Sequence, residues 1–273
     1  MAATVRIAYP GREGAHSAAA CALLFPETEG EPLPSFGDVV EAVAFGRFDA
    51  GVLPIESSVS GPVAETHDLL VGSGVSIAAQ TIIPIRHFLV GVAEIPPEQI
   101  RVVRSHPVAL DQCRRLLASL PGATAIAAGT TADAAAQVAS DQDPTEVAIA
   151  SERAAAIHGL VVLDADVGDH PEAYTRFVAV ANRTVLARGE NWRLAFSFQT
   201  DHRPGALHRA IEPFARHGLD LVQLTSRPIP QAPWRYRFDA VVSGHPLDED
   251  VRVALAEVRQ QAQRFTVFGS YPA

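Results

Sequence analysis

Four short segments carry residue types that could contact a small ligand: glycines ahead of a helix start, a carboxylate, hydroxyls, a histidine and an arginine. The first is Gly11-Arg12-Glu13-Gly14-Ala15-His16-Ser17, with two glycines between an apolar run and an alanine-rich one. A strand ending in such a turn presents the unpaired N–H groups of the next helix, which favour negative charge; an ordinary βα turn has the same pattern. The second, Gly51-Val52-Leu53-Pro54-Ile55-Glu56-Ser57-Ser58-Val59-Ser60-Gly61, ends an apolar run with a carboxylate and three hydroxyls. Loops at the carboxyl ends of parallel strands are where α/β folds place ligand contacts, although serines there also cap helices. The third is Ser105-His106-Pro107-Val108-Ala109-Leu110-Asp111-Gln112-Cys113, where Pro107 suits a first helical turn. Ser105 reads as a polar contact or an N-cap, and Gln112 as a contact or a surface residue. His106 has no carboxylate or nucleophile beside it in sequence. The fourth, Tyr174-Thr175-Arg176-Phe177, precedes the apolar run Val178-Ala179-Val180. Strand alternation sends Thr175 and Phe177 to one side and Arg176 to the other.

Alternating strands and helices must hold these segments. Strands are predicted over 4–9, 50–55, 75–83, 87–93, 100–104, 147–150, 161–163 and 175–181. Helices are predicted over 15–25, 36–45, 62–71, 108–120, 132–140 and 152–158. Val39, Val40, Val43 and Ala44 make one apolar helix face, and Leu110, Cys113, Leu116 and Leu117 another. Such alternation implies an α/β architecture with right-handed crossovers, and residues 75–93, broken at Pro84, read as a connection between two lobes. From residue 192 the rhythm changes to strand 192–199, helix 206–217, strands 220–226 and 235–242, helix 248–261 and strand 265–269. That βαββαβ order is ferredoxin-like, and polar residues 188–191 suit a domain linker.

Charge is distributed unevenly along the 273 residues. Residues 1–190 hold 12 arginines and 23 acidic residues, net −11, whereas residues 191–273 hold 10 arginines and 8 acidic residues, net +2; there is no lysine. The split supports two domains, and no basic stripe suggests nucleic acid. An anionic substrate would need local arginines and backbone N–H groups to hold it against the acidic field. Cys21 and Cys113 lie in helical contexts without metal-ligand spacing, so they read as buried small apolar residues rather than a disulfide or a metal site. The amino terminus enters a strand directly and no run of 18 apolar residues occurs, which predicts a soluble, cytoplasmic protein without membrane association.

Taken in order, the four segments resemble the signature of prephenate dehydratases: G-P-x-G-x-x-S, G-V-x-P-I-E-N-S, S-H-P-x-A-L-x-Q-C and T-R-F. The tail is similar to the ACT domain that follows that catalytic domain, through Pro204-Gly205-Ala206-Leu207, Thr225-Ser226-Arg227-Pro228 and the closing Gly269-Ser270-Tyr271-Pro272. Three departures stand out. Ser57 replaces the family Asn. Arg12 and Ala15-His16 replace a Pro and a Thr-aromatic pair. Thr225 replaces the Glu of the ACT motif.

The resemblance implies a two-lobed, periplasmic-binding-protein-like catalytic domain over 1–188, with lobes 1–82 plus 175–188 and 86–170, followed by an ACT domain over 192–273. It implies decarboxylating dehydration of prephenate to phenylpyruvate, with phenylalanine as effector and no metal or organic cofactor. Thr175 would donate the proton to the departing hydroxyl. Arg176 would clamp a carboxylate or support that clamp, and Glu56, Ser57, Ser105 and Gln112 would orient substrate or Thr175. Gly14, Ala15, Ser17, Ser58 and Phe177 would line the substrate site. Gly205, Ala206, Leu207, Thr225, Ser226, Arg227 and Pro228 would bind the effector, in a homodimer or homotetramer. Two other functions share the pattern: an arogenate dehydratase, and a non-catalytic two-lobed ligand-binding protein.

Overall fold

The computed structural model describes residues 5–182, 191–229 and 232–272. The first predicted strand therefore begins at Thr4, outside the described residues, as do residues 188–190 of the predicted linker.

In chain order the elements begin β1 (Ile7–Pro10), α1 (His16–Leu24), β2 (Gly30–Leu33), α2 (Phe36–Ala44), β3 (Ala50–Ser57), β4 (Gly61–Pro62), α3 (Ala64–Leu70) and β5 (Ser76–Pro84). There follow β6 (Phe88–Gly91), β7 (Val102–Ser105), α4 (Pro107–Asp111), α5 (Arg114–Ser119), β8 (Thr124–Ala127), α6 (Thr131–Asp141), β9 (Glu146–Ala150), α7 (Glu152–His158), β10 (Val161–Asp164) and β11 (Tyr174–Ala181). The last six are β12 (Trp192–Gln199), α8 (Ala206–Arg216), β13 (Leu221–Ile229), β14 (Ala232–Ser243), α9 (Glu249–Gln261) and β15 (Arg264–Pro272). The chain divides into two compact units. One comprises residues 1–39, 52–61 and 81–177; the other comprises 40–51, 62–80 and 178–273.

The first unit contains a five-stranded sheet in the order β10-β6-β9-β7-β8. β7 pairs in parallel with β8 and β9, whereas β6 is antiparallel to β9 and β10, so the sheet is mixed. Both faces are covered, as strand alternation requires. Phe88, Val90, Ala148 and Ala150 pack on Ala132, Ala135 and Val138 of α6. Leu89, Val147 and Ile149 pack on Ala109, Cys113 and Leu120. Each large apolar side chain buried this way contributes about 1.5–3 kcal/mol. Burial pushes the Cys21 thiol up to about 11 and the Cys113 thiol up to about 12. Both cysteines are buried and unbridged, in keeping with their reading as small apolar residues.

One predicted helix is interrupted. Residues 108–120 form α4 and α5 rather than one helix, because Asp169 caps a second start: its carboxylate accepts from the N–H groups of Arg114 (2.8 Å) and Arg115 (3.2 Å). Burial tends to raise the Asp169 pKa, but these backbone bonds and the Arg115 side chain hold it low. Three strands were not predicted, β2, β4 and β8. β2 is the Gly-Glu-Pro-Leu segment 30–33, whose proline fits a strand paired only with β1 in this unit.

In the second unit β12, α8, β13, β14, α9 and β15 give the expected βαββαβ order, and the strands align as β13-β14-β12-β15 with antiparallel pairing. Leu194, Phe196, Phe198, Ala240 and Val242 meet Phe214 of α8 and Val251, Ala254 and Val258 of α9. β15 also pairs in parallel with β5 through Gly269 and Ile77. Gly269 has φ +145°, and a Cβ there would lie 2.2 Å from the Ile77 carbonyl oxygen, so only glycine permits this approach.

Candidate active site

The carboxyl end of β3 and the start of β11 are joined by one serine. Ser58 donates its backbone N–H to the Tyr174 carbonyl at 2.9 Å, and its hydroxyl accepts from the Tyr174 N–H at 2.9 Å. Thr175, the next residue, is half-buried. Ser57 folds the same turn: its hydroxyl accepts from the N–H groups of Val59 and Ser60, each at 3.2 Å. A hydroxyl is short enough to close this turn onto its own backbone. In this arrangement Ser57 shapes the loop that holds β11.

Glu56 and Arg176 flank these residues and approach each other at 3.5 Å, with side chains 29% and 28% exposed. That geometry leaves the guanidinium oriented and still reachable from solvent. Phe177 is buried.

Gln112, at the end of α4, reaches the turn from the other side. Its amide nitrogen donates to the Ser60 hydroxyl at 3.3 Å, and its amide oxygen lies 2.9 Å from Nε2 of His87. Gln112 is 9% exposed and His87 5%. Ser105 behaves differently. Its fully buried hydroxyl donates to the Ile149 carbonyl at 2.7 Å, tying β7 to β9. His106 is the N-cap of α4, and its Nδ1 accepts from the Val108 N–H at 3.3 Å.

The glycine turn before α1 is held from behind. Gly11 and Gly14 have φ +97° and +88°. The Gly14 carbonyl accepts from the Ser151 hydroxyl at 2.8 Å, and a Cβ on Gly14 would stand 3.0 Å from Cα of Ala154. Ala15 packs into the same apolar cluster as Ala154, Ser17 is buried, and Arg12 is ion-paired with Asp133. Ala15 is the N-cap of α1 and supplies no capping side chain. The His16 ring meets that of His87 edge-on, with centroids 6.3 Å apart. Burial, then the neighbouring His87, lowers the His16 pKa to about 4; burial also lowers those of His87 and His106. These imidazoles are neutral at pH 7, which leaves Arg176 as the positive group among the residues joined to the turn.

The residues expected to hold an effector lie in the second unit. Gly205, with φ +75°, is the N-cap of α8; Ala206 starts that helix and Leu207 packs into the helix-side core. Thr225 pairs with Asp239 and Arg227 with Arg237 across β13 and β14, on the face opposite the Phe238 and Ala240 positions that meet Ser226 and Leu224. Within one chain Thr225 and Arg227 therefore face away from α8, whereas Ser226 and Pro228 share the sheet face that the helices cover. Arg227 donates to the Asp68 carboxylate at 3.0 Å and to the Ala64 carbonyl at 3.3 Å, both on α3. Pro228 pairs with Tyr236.

Sequence reasoning missed His87 and Asp169, and gave Ser60 no role beyond its place in the second segment. The one available signal for His87 was an isolated imidazole ahead of the apolar run Phe88–Gly91.

Residues 7–185 match the prephenate dehydratase family. Arogenate dehydratase/prephenate dehydratase 2, chloroplastic, of Arabidopsis thaliana is 33% identical over 98% of this chain and 73% of that protein. Among solved structures, prephenate dehydratase from Arthrobacter aurescens in complex with L-Phe superposes with a TM-score of 0.88 at 31% identity, covering 98% of this chain and 90% of that one. A protein described as a novel type of quorum quenching acylase, GqqA, gives a TM-score of 0.86 at 30% identity over 98% of both chains. With that family match and a relative 33% identical along nearly its whole length, the chain belongs to the prephenate dehydratase family.

Proposed function

We propose that this protein is a prephenate dehydratase that forms phenylpyruvate and is regulated by phenylalanine. The observation that carries the reading is the pair of hydrogen bonds between Ser58 and Tyr174, which holds Thr175 and Arg176 at one strand start beside Glu56. In the reaction a carboxylate leaves as carbon dioxide and its electron pair enters the ring. The ring C–O bond breaks, and the departing hydroxide takes a proton to become water. Aromatisation drives the step, so a strong acid is not needed. A hydroxyl aimed at the leaving oxygen stabilises the transition state more than the ground state. Thr175 is that donor, and Arg176, oriented by Glu56, holds a substrate carboxylate. Gln112, Ser57 and Ser58 keep the turn in place, while Gly14, Ala15 and Ser17 offer the start of α1 to the second carboxylate. Ser105 supports this from within the core, and Phe177 anchors β11 below Thr175. No metal or organic cofactor enters the step.

Acyl transfer, the activity in the name of one structural neighbour, needs a hydroxyl or thiol bonded to a base. At this turn the imidazole of His87 bonds an amide instead, which favours the lyase.

The catalytic domain is taken as residues 1–188 and the ACT domain as 192–273. The effector site would comprise Gly205–Leu207 of one chain and Thr225–Pro228 of a second, a reading supported by Thr225 and Arg227 lying on the sheet face opposite α8. A homodimer or homotetramer follows, and exposed Leu224, Trp234 and Tyr236 on β13 and β14 suit such an interface. Among the described residues no helix is long and apolar enough to cross a membrane; a cytoplasmic location fits the reading.

The test is turnover of prephenate and of arogenate, each with and without phenylalanine. Phenylpyruvate, read by its absorbance in alkali, is expected from prephenate, and phenylalanine is expected to lower the rate. Faster turnover of arogenate would change the substrate, and no aromatic product from either would remove the activity.

A further inference from the structure

We propose that His87 is a positioning residue for this reaction, acting through the side-chain amide of Gln112. The inference rests on the dehydratase reading and adds a residue that none of the four motifs contains.

His87 lies in the three-residue gap between β5 and β6 and is 5% exposed. Its backbone carbonyl accepts from the Val167 N–H at 2.9 Å. Two residues later the Asp169 N–H donates to the Gln112 carbonyl at 2.6 Å. One short segment thus fixes the main chains of both partners, and Gly168 between them borders the ring, a Cβ there falling in ordinary contact at 3.5 Å from the imidazole. The side chains then meet at 2.9 Å. Neither contact depends on a mobile surface group.

The bond has a direction. An amide has one oxygen acceptor and one nitrogen donor. With the Gln112 nitrogen turned to the Ser60 hydroxyl and its oxygen turned to His87, the imidazole carries its proton on Nε2. Nδ1 of His87 is buried and has no hydrogen-bond partner among the described residues. A buried polar atom without a partner costs free energy that an apolar ring in the same place would avoid. The function of the imidazole is therefore its Nε2–H, which prevents the Gln112 amide from rotating. Ser60 in turn donates its backbone N–H to Ser57, in the turn whose next serine holds Tyr174. The path from His87 to the residue before Thr175 is continuous in hydrogen bonds and backbone. Misplacement by an ångström at the reacting centre is enough to cost orders of magnitude in rate.

The experiment compares His87→Leu, His87→Gln, His87→Asn, Gln112→Ala and the double variant His87→Leu/Gln112→Ala in the full chain, with kcat and KM for prephenate and circular dichroism for folding. His87→Leu is expected to lower kcat at least about tenfold with KM changed less. His87→Gln, which keeps a donor near the Nε2 position, is expected to recover most of that loss, and His87→Asn, whose donor falls short, is not. The double variant is expected to be no slower than Gln112→Ala. A folded His87→Leu enzyme within twofold of wild-type kcat would overturn the inference, as would losses that multiply in the double variant. Should His87→Leu fail to fold, equal kcat for the Gln and Asn variants would overturn it. If wild-type protein makes no phenylpyruvate, the dehydratase reading itself fails, which is a separate outcome.

Discussion

Ser58 and Tyr174, 116 residues apart, exchange two hydrogen bonds, one through the Ser58 backbone and one through its hydroxyl, each 2.9 Å long. Removing the hydroxyl leaves the Tyr174 N–H unmatched while the backbone bond persists. Ser58→Ala is expected to cost about 1 kcal/mol of stability. Because the next residue is Thr175, kcat is expected to fall about three- to tenfold, more than the thermal shift alone explains. Unchanged kcat in a destabilised variant would separate this clip from catalysis.

The proposed regulation would act through a specific strut. Asp68 on α3 accepts from Arg237 at 2.6 Å and from Arg227 at 3.0 Å. Burial tends to raise the Asp68 pKa, but the two guanidinium groups hold it below the ordinary value. Beside it His67 and Arg237 meet the buried Asp239 carboxylate at 3.1 and 3.2 Å. The chain runs from the Ser57–Ser60 turn through Gly61–Val63 into α3. Asp68→Asn is expected to keep the unregulated rate within about twofold and to weaken inhibition by phenylalanine at least about fivefold. Inhibition curves with prephenate as substrate measure both. An unaltered inhibition constant would show that this ion pair plays no part in coupling.

The imidazole pair makes stability pH-dependent in a predictable direction. His16 has its pKa lowered from 6.5 to about 4, by burial and then by His87. Above about pH 6.5 both folded and unfolded forms are neutral there, and the group contributes nothing to the pH dependence. As pH falls from about 6.5 to about 4 the unfolded chain takes up the proton first, so stability is lost, by at most about 3 kcal/mol. His16→Phe is expected to lose less stability over that window. Other acid-sensitive groups such as Asp239 are common to both proteins and cancel in the difference. Identical midpoint–pH curves from thermal melts would contradict the assignment.

Much of the fold was legible because it rests on local patterning. Strand 192–199 and the βαββαβ order follow from apolar alternation, and strands β6, β7, β9 and β10 follow from apolar runs, whereas β8 and the order of the sheet do not. The break between α4 and α5 was not legible, because its cause is the carboxylate of Asp169, 55 residues downstream. The proximity of Ser58 to Tyr174 and of Gln112 to Ser60 is also long-range, so motif spacing could name these residues without joining them. His87 was invisible for a related reason. A single imidazole has no periodicity, and its role depends on one amide 25 residues away.

Gly269 offers a test of the fold alone. A methyl group there would collide with the Ile77 backbone, at 2.2 Å from its oxygen and 2.6 Å from its nitrogen, and φ is +145°. Backbone cannot yield as a flexible side chain does. Gly269→Ala is expected to cost about 3 kcal/mol or more, lowering the melting temperature by roughly 6–12 °C. A melting temperature within 2 °C of wild type, on any sensible error, would show that β15 and β5 do not approach as described.

The most direct measurement is turnover of prephenate at neutral pH by Thr175→Ala and Thr175→Ser, with folding checked by circular dichroism. If the Thr175 hydroxyl protonates the departing group, the alanine variant loses about 10²–10⁴-fold in kcat, KM changes little, and serine restores a substantial part of the rate. An alanine variant that is folded and turns over prephenate within a few-fold of wild type would contradict the account.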